Sequence, residues 1–182
     1  MIDFSPFIST LRAWVAAASG LPLAAVLLEN EPRPRVPPAW FEIRIERSNM
    51  EGTDRLRFVE VEGEQVEAVN GIRLLEVVIA CDSFSQESAR IALGFVEAVR
   101  ARGMFTNKRA ILNAGCIAVV DLGEITNADY TVDERWISRF ELRTRFRYTF
   151  ESIGTLPDDL AYWIAETEIT GTFPPAAEGL TP

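Results

Sequence analysis

The chain has no histidine, one lysine (Lys108) among its 18 basic residues, and two cysteines in 182 positions. Without histidine there is no Ser-His-Asp or Cys-His mechanism, no H-E-x-x-H metal site, and no general base of ordinary pKa near neutrality. The phosphate-cradling loops G-x-G-x-x-G and G-x-x-x-x-G-K-[ST], the nucleophile elbow G-x-S-x-G and the C-x-x-C redox pair are missing too. Lys108 lies beside Arg109, a charged setting that does nothing to desolvate an amine nucleophile. Two cysteines make no disulfide framework, so a reducing cytoplasm is the expected folding compartment. Cys81 and Cys116 both adjoin apolar runs and are expected to be small buried hydrophobes. No apolar run approaches a membrane span, and Arg12 and Trp14 interrupt any leader-like stretch. The expectation is a soluble, non-enzymatic protein without cofactor or metal.

What is present is an apolar, acidic chain: 48% of residues are hydrophobic, and 27 acids against 18 bases give a formal net charge of -9. That balance opposes non-specific attraction to nucleic acid. Phe7, Ile8, Leu11, Trp14, Val15 and Ala18 mark one face of a helix, with Ser5 suited to cap it, Pro6 to begin it and Gly20 to end it. The run from Glu29 to Pro38 is proline-rich and reads as a stiff, extended connector. Phe41, Ile43 and Ile45 then alternate with Glu42, Arg44 and Glu46 as a half-buried strand does. Between 49 and 70, valines alternate with acids around Gly63, which predicts a protruding acidic hairpin; Asn70-Gly71 signals a further turn before a buried central strand, 72–81.

A second helix is expected from a capping-box-like start at Ser83-Phe84-Ser85-Gln86 to Arg102 and Gly103, and a short one over 106–113. A strand from Cys116 to Val120 leads into an acidic loop, 121–134. In the strand that follows, Trp136, Phe140, Leu142, Phe146, Tyr148 and Phe150 take even positions, while Arg139, Glu141, Arg143, Arg145 and Arg147 take odd ones. One face should be core and the other strongly basic. A last strand is expected over 162–170 and a flexible tail over 172–182. Together these elements predict one α+β domain, 1–182 with its core over about 4–171, built as a mainly antiparallel sheet with two main helices on one face.

The acidic segments lack a D-x-[DN]-x-[DN]-G loop, so a solvated, self-repelling hairpin is preferred to a cation site. The arginine row is more informative. Planar guanidinium groups favour fixed ion pairs, either with carboxylates of a neighbouring subunit or, as the competing reading, with Glu141 and acids of the adjacent strand. A nucleic-acid-binding module using the 139–147 strand is the rival function. It suffers from phase, since the aromatics that would stack on bases fall on the face opposite the arginines.

The element order resembles the tail (neck) terminator family of long-tailed bacteriophages. The matching stretches are the helix ending Ala-Ala-Ser-Gly-Leu-Pro, the connector 29–38 leading into Trp40-Phe41-Glu42-Ile43-Arg44-Ile45, the Asn70-Gly71 hairpin, the strand through Cys81, helix 85–102, and the segment 121–135 entering a long strand. The resemblance spans about residues 4–171 and is similar to lambdoid tail terminators. It implies a structural virion subunit that forms a six-membered ring on the last disc of the tail tube, stops tube growth and joins the head–tail connector or stopper. The implied partners are its own copies, the tail tube protein, the connector and, in a contractile tail, the sheath, with DNA passing through unbound and no membrane involved. For such a ring, Arg139, Arg143, Arg145 and Arg147 with Asp129, Asp133 and Glu134 are the expected subunit contacts, and Glu51, Asp54, Glu60, Glu62, Glu64 and Glu67 the expected channel- or tube-facing acids.

Overall fold

The computed structural model describes residues 4–29, 31, 39–61, 63–84, 87–132 and 134–153. Most of the proline-rich connector, the expected strand at 162–170 and the expected tail at 172–182 lie outside the described residues, as do Glu62 and Asp133.

The chain is α+β. Helix α1 (Ser5–Ser19) is followed by a one-turn 3-10 helix (Leu23–Ala25), β1 (Val26–Leu28), β2 (Ala39–Val61), β3 (Glu64–Ser83), α2 (Ser88–Arg102), α3 (Thr106–Ala114), β4 (Ile117–Asp121), β5 (Ile125–Asn127), β6 (Tyr130–Val132) and β7 (Arg135–Ile153). The strands run in the order β1-β2-β3-β7-β4, with β5 and β6 also paired to β7. Among the described strands only β1–β2 is parallel. Among the described residues no helix is long and apolar enough to cross a membrane.

The apolar face of α1 packs on the even-numbered face of β7. Phe7 stands edge-on to Phe146 at 6.1 Å and tilted to Tyr148 at 5.3 Å, and Trp14 stands edge-on to Phe146 at 5.9 Å. Aromatic pairs in this geometry gain about 0.5–1.5 kcal/mol beyond their buried area. The Trp14 indole N–H donates to the carbonyl of Gly103 at 3.0 Å, which ties α1 to the end of α2. Ala92, Val96 and Val99 of α2 and Phe41, Ile43, Leu75, Val77, Ile79 and Cys81 of the sheet complete the same buried cluster.

The hairpin is the longest feature of the fold. β2 and β3 stay paired, through two register shifts, as far as Val61 opposite Glu64, whereas β7 pairs with β3 only up to Ile153 opposite Ala68. Beyond that point the β2–β3 pair has no third strand among the described residues and stands out as an arm. Gly63 at its tip takes φ 87°, a conformation that L side chains avoid.

Several local expectations are corrected. Ser5 is the first residue of α1, and Phe4 holds the capping position without a side-chain cap. Ser83 closes β3, opposite Ser138, and α2 begins at Ser88 with Glu87 in the capping position and no side-chain cap; the expected 83–86 start rests on Ser85 and Gln86, which are outside the described residues. Gly103 follows α2 with φ -57°, not a left-handed one; its lack of a side chain makes room for Trp14. Asn70-Gly71 is not a turn, because β3 runs straight through it. The irregularity lies across the ladder: Glu51 pairs with Ile72 and Arg55 with Asn70, so Gly52, Thr53 and Asp54 bulge opposite Gly71. Cys81 is buried as expected, but Cys116 is exposed, because it occupies the turn between α3 and β4 with φ 56°. Trp136 is 60% exposed, since β7 reverses its buried phase at that end and buries Ile137 and Ser138. The 121–134 segment is not a free loop: β5 and β6 within it both pair with β7.

Candidate assembly surfaces

The arginine row lies on the face of β7 away from α1. Antiparallel pairing sets Leu74, Val78 and Ala80 of β3 opposite Arg147, Arg143 and Glu141. These neighbours are apolar, so the long guanidinium arms cross over β3 to acids of β2. Arg147 donates twice to Glu51, at 2.6 and 2.7 Å, and Arg143 pairs with Glu46 at 3.3 Å. Arg139 donates to Glu42 at 2.8 Å. Arg145 reaches the other way, to Asp121 of β4 at 3.2 Å. Every arginine of the row thus already holds a carboxylate of its own chain. This is the intrachain pairing that the sequence left as the competing reading, and it extends one strand farther than expected.

The deepest part of this layer surrounds Arg139. Its Nε lies 3.2 Å from Asp82, which is fully buried, and Glu141 approaches at 3.8 Å. The Tyr130 hydroxyl donates to Asp82 at 3.1 Å, and the Arg139 guanidinium lies 5.4 Å from the Tyr130 ring centre. Burial pulls the Arg139 pKa down, but Asp82, Glu42 and Tyr130 outweigh it and the net direction is up. This group fastens β6 to β3 and β7 and is structural. Outward along β7, the charges are half-exposed or more, where ion pairs add little stability and screen with salt. The hydrogen bonds from Arg147 hold Glu51 below the usual carboxylate range, and Arg147 is raised in return.

Of the hairpin acids, Glu51 is therefore committed to Arg147. Asp54 turns back across the bulge onto Arg73, which donates to both its oxygens at 2.7 and 2.6 Å and stacks 4.6 Å from the centre of the Phe150 ring. Those hydrogen bonds lower the Asp54 pKa. A Cβ on Gly71 would collide with Asp54, which explains a glycine there without a turn. Glu60 and Glu67 are exposed and hold no ion pair among the described residues; Glu64 is placed by its register alone.

In the 121–134 segment, Asp121 accepts the Gly123 backbone N–H at 2.9 Å, the main cause of its lowered pKa, and then Arg145. Asp129 accepts the Arg139 backbone N–H at 2.9 Å, and Glu134 occupies the turn into β7 with φ 64°. No three potential metal-ligating side chains converge among the described residues. The structure thus brings Arg139 and Asp129 together and commits Glu51 and Asp54 to different arginines, Arg147 and Arg73.

Two features escaped the sequence reading. Leu56 and Phe58 on the hairpin are 61% and 63% exposed. At the corner between α2 and α3, Arg100, Arg102, Lys108 and Arg109 hold no ion pair among the described residues, and Met104 and Phe105 are exposed between them. The hydrophobic alternation around 56–61 was readable, but only the third dimension shows these side chains exposed.

For nucleic acid, the aromatics that would stack on bases are Trp136, Phe140 and Tyr148: Tyr148 is buried and Phe140 partly buried against the core, on the side of β7 opposite its arginines, whereas Trp136 is exposed. Among curated proteins no match is found. A family model described as phage neck terminator protein matches residues 5–174, which takes in every helix and strand above. The chain belongs to the phage neck terminator protein family, a family of structural tail proteins.

Proposed function

We propose that this neck terminator subunit works as a closed ring, six-membered as the lambdoid resemblance implies, seated on the last disc of the tail tube. It ends tube polymerisation there and offers its far face to the head–tail connector or stopper, and to the sheath if the tail contracts. The observation that carries this reading is the family match over residues 5–174. Its physical support is a chain with an acidic net charge of -9, suited to a lumen that passes DNA without holding it. Either acidic segment, the 51–67 hairpin or 121–134, supplies the surface turned toward channel or tube.

Head-to-tail contact between two different patches closes a ring when the rotation is right. In this reading Arg139, Arg143, Arg145 and Arg147 meet the neighbouring copy, with Asp129, Asp133 and Glu134 near the contact. They enter it as ion-paired groups that exchange or share carboxylates. Negative-stain microscopy of the purified chain, alone and with tail tubes, tests the ring: radial symmetry about a central opening is expected, and isolated single copies refute it. The double variant Arg143→Glu/Arg145→Glu should stay folded and lose the ring. An intact ring by native mass spectrometry refutes this choice of interface.

A further inference from the structure

The arginine row is already balanced by its own chain, so the unbalanced charges of the molecule lie elsewhere. On the hairpin, Leu56, Phe58 and Glu60 share a face by their period-two spacing, and Phe58 lies opposite Glu67. That face is apolar at its centre, acidic at its edge and exposed. At the α2–α3 corner, residues 100–109 contain four bases and no acid, with the exposed side chains of Met104 and Phe105 between them. The two surfaces are complementary in charge and both apolar at the centre. No hydrogen bond, ion pair or ring contact joins them within the chain among the described residues.

We propose that the Leu56–Phe58 face of one copy's hairpin docks on the α2–α3 corner of a second copy. Phe58 and Leu56 pack against Met104 and Phe105, and Glu60 and Glu67 meet Arg102, Lys108 and Arg109. Each copy carries one of each surface, at different places, so the contact is head-to-tail and repeats. The inference rests on the ring reading for closure, and it assigns the hairpin to the subunit contact, leaving 121–134 as the acidic segment for the channel or tube. Apolar centres with charged rims are the usual build of specific interfaces, the charges guiding register and rate.

The test uses two variants of the full chain, Leu56→Ser/Phe58→Ser and Lys108→Glu/Arg109→Glu, with native mass spectrometry of each alone, on tail tubes, and mixed. All four positions are exposed or half-exposed, so circular dichroism and urea unfolding should match the wild type. Each variant is expected to be monomeric and absent from tubes. Their mixture should give one-to-one dimers and nothing larger, because a mixed pair retains one intact contact. Multimers that persist in both variants, or a mixture that stays monomeric, overturn the docking while leaving the ring reading standing. A wild type that is monomeric alone and on tubes overturns the ring reading itself.

Discussion

Replacing Arg139 by methionine probes whether the charge layer is held together by its buried end. Asp82 is fully buried, 3.2 Å from the Arg139 Nε, and Glu42 lies 2.8 Å from the same guanidinium. Arg139→Met keeps much of the side-chain length but removes the one guanidinium that, among the described residues, pairs with Asp82 and Glu42; Glu141 keeps Arg143 at 3.8 Å. Breaking a buried pair from one side costs about 3–5 kcal/mol, because the surviving charge has lost both water and partner. With a urea dependence of about 2 kcal/mol/M for a domain of this size, the midpoint should fall by about 1.5–2.5 M. Asp82→Asn should cost less, about 1–3 kcal/mol, since Arg139 retains Glu42 and the Tyr130 hydroxyl retains an acceptor. The double variant should be more stable than the sum of the two losses by about 0.5–3 kcal/mol, the coupling expected of groups in one network. The assay is urea unfolding followed by Trp fluorescence, at protein concentrations low enough that assembly adds nothing. A loss below about 1 kcal/mol for Arg139→Met, or additive losses in the double variant, would refute the view that Asp82 depends on this guanidinium.

Glu51, Asp54 and Asp121 all have lowered pKa values in the folded chain, so their contribution is complete above the ordinary values of 4.5 and 3.8 and is lost as pH falls through the depressed ones. Urea midpoints measured from neutral pH down to about pH 3 should therefore decline at the acid end, and Arg147→Met should shallow that decline; an unchanged slope speaks against the Glu51 pair. Gly103→Ala places a Cβ onto Trp14 and the Val99 carbonyl, and should destabilise by about 1–3 kcal/mol in the same assay, with a weakened Trp14 hydrogen bond seen as a shifted indole N–H resonance. A thiol reagent should label Cys116 in the native protein and Cys81 only after unfolding, since burial pushes the Cys81 thiol up and hides it; equal labelling rates would contradict the fold at β3.

How much of this was readable in advance depends on the range of each interaction. β7 was legible because alternation over 142–150 repeats every two residues and its even-numbered side chains are buried throughout. The same rule failed at Trp136, where the strand passes the end of the core and neighbours on the other face bury Ile137. β5 and β6 are three residues each, too short to show any period, and exist because β7 extends far enough to pair with them. Asn70-Gly71 carries a true turn composition, but its consequence appears as a bulge in the partner strand 16 to 19 positions earlier. The arginine row was visible as a row; its partners Glu42, Glu46 and Glu51 were not, because they are 96 or 97 residues away and lie beyond an intervening strand. α2 starts later than local signals suggest for a related reason: β3 continues to Ser83 by pairing with β7, and the helix begins only at Ser88.

The length of the three central strands also bears on mechanical behaviour. β2, β3 and β7 contain 23, 20 and 19 residues, and β3 meets β7 in an unbroken register from Ala68 opposite Ile153 to Ser83 opposite Ser138. A pull directed along these strands loads the whole ladder in shear, so many backbone bonds must yield together. A pull across them peels the bonds apart in succession, beginning at β1 on one flank and at the short β4, β5 and β6 pairings on the other. The subunit is thus stiff along one axis and soft along another, and the direction of an applied load decides which of the two it presents.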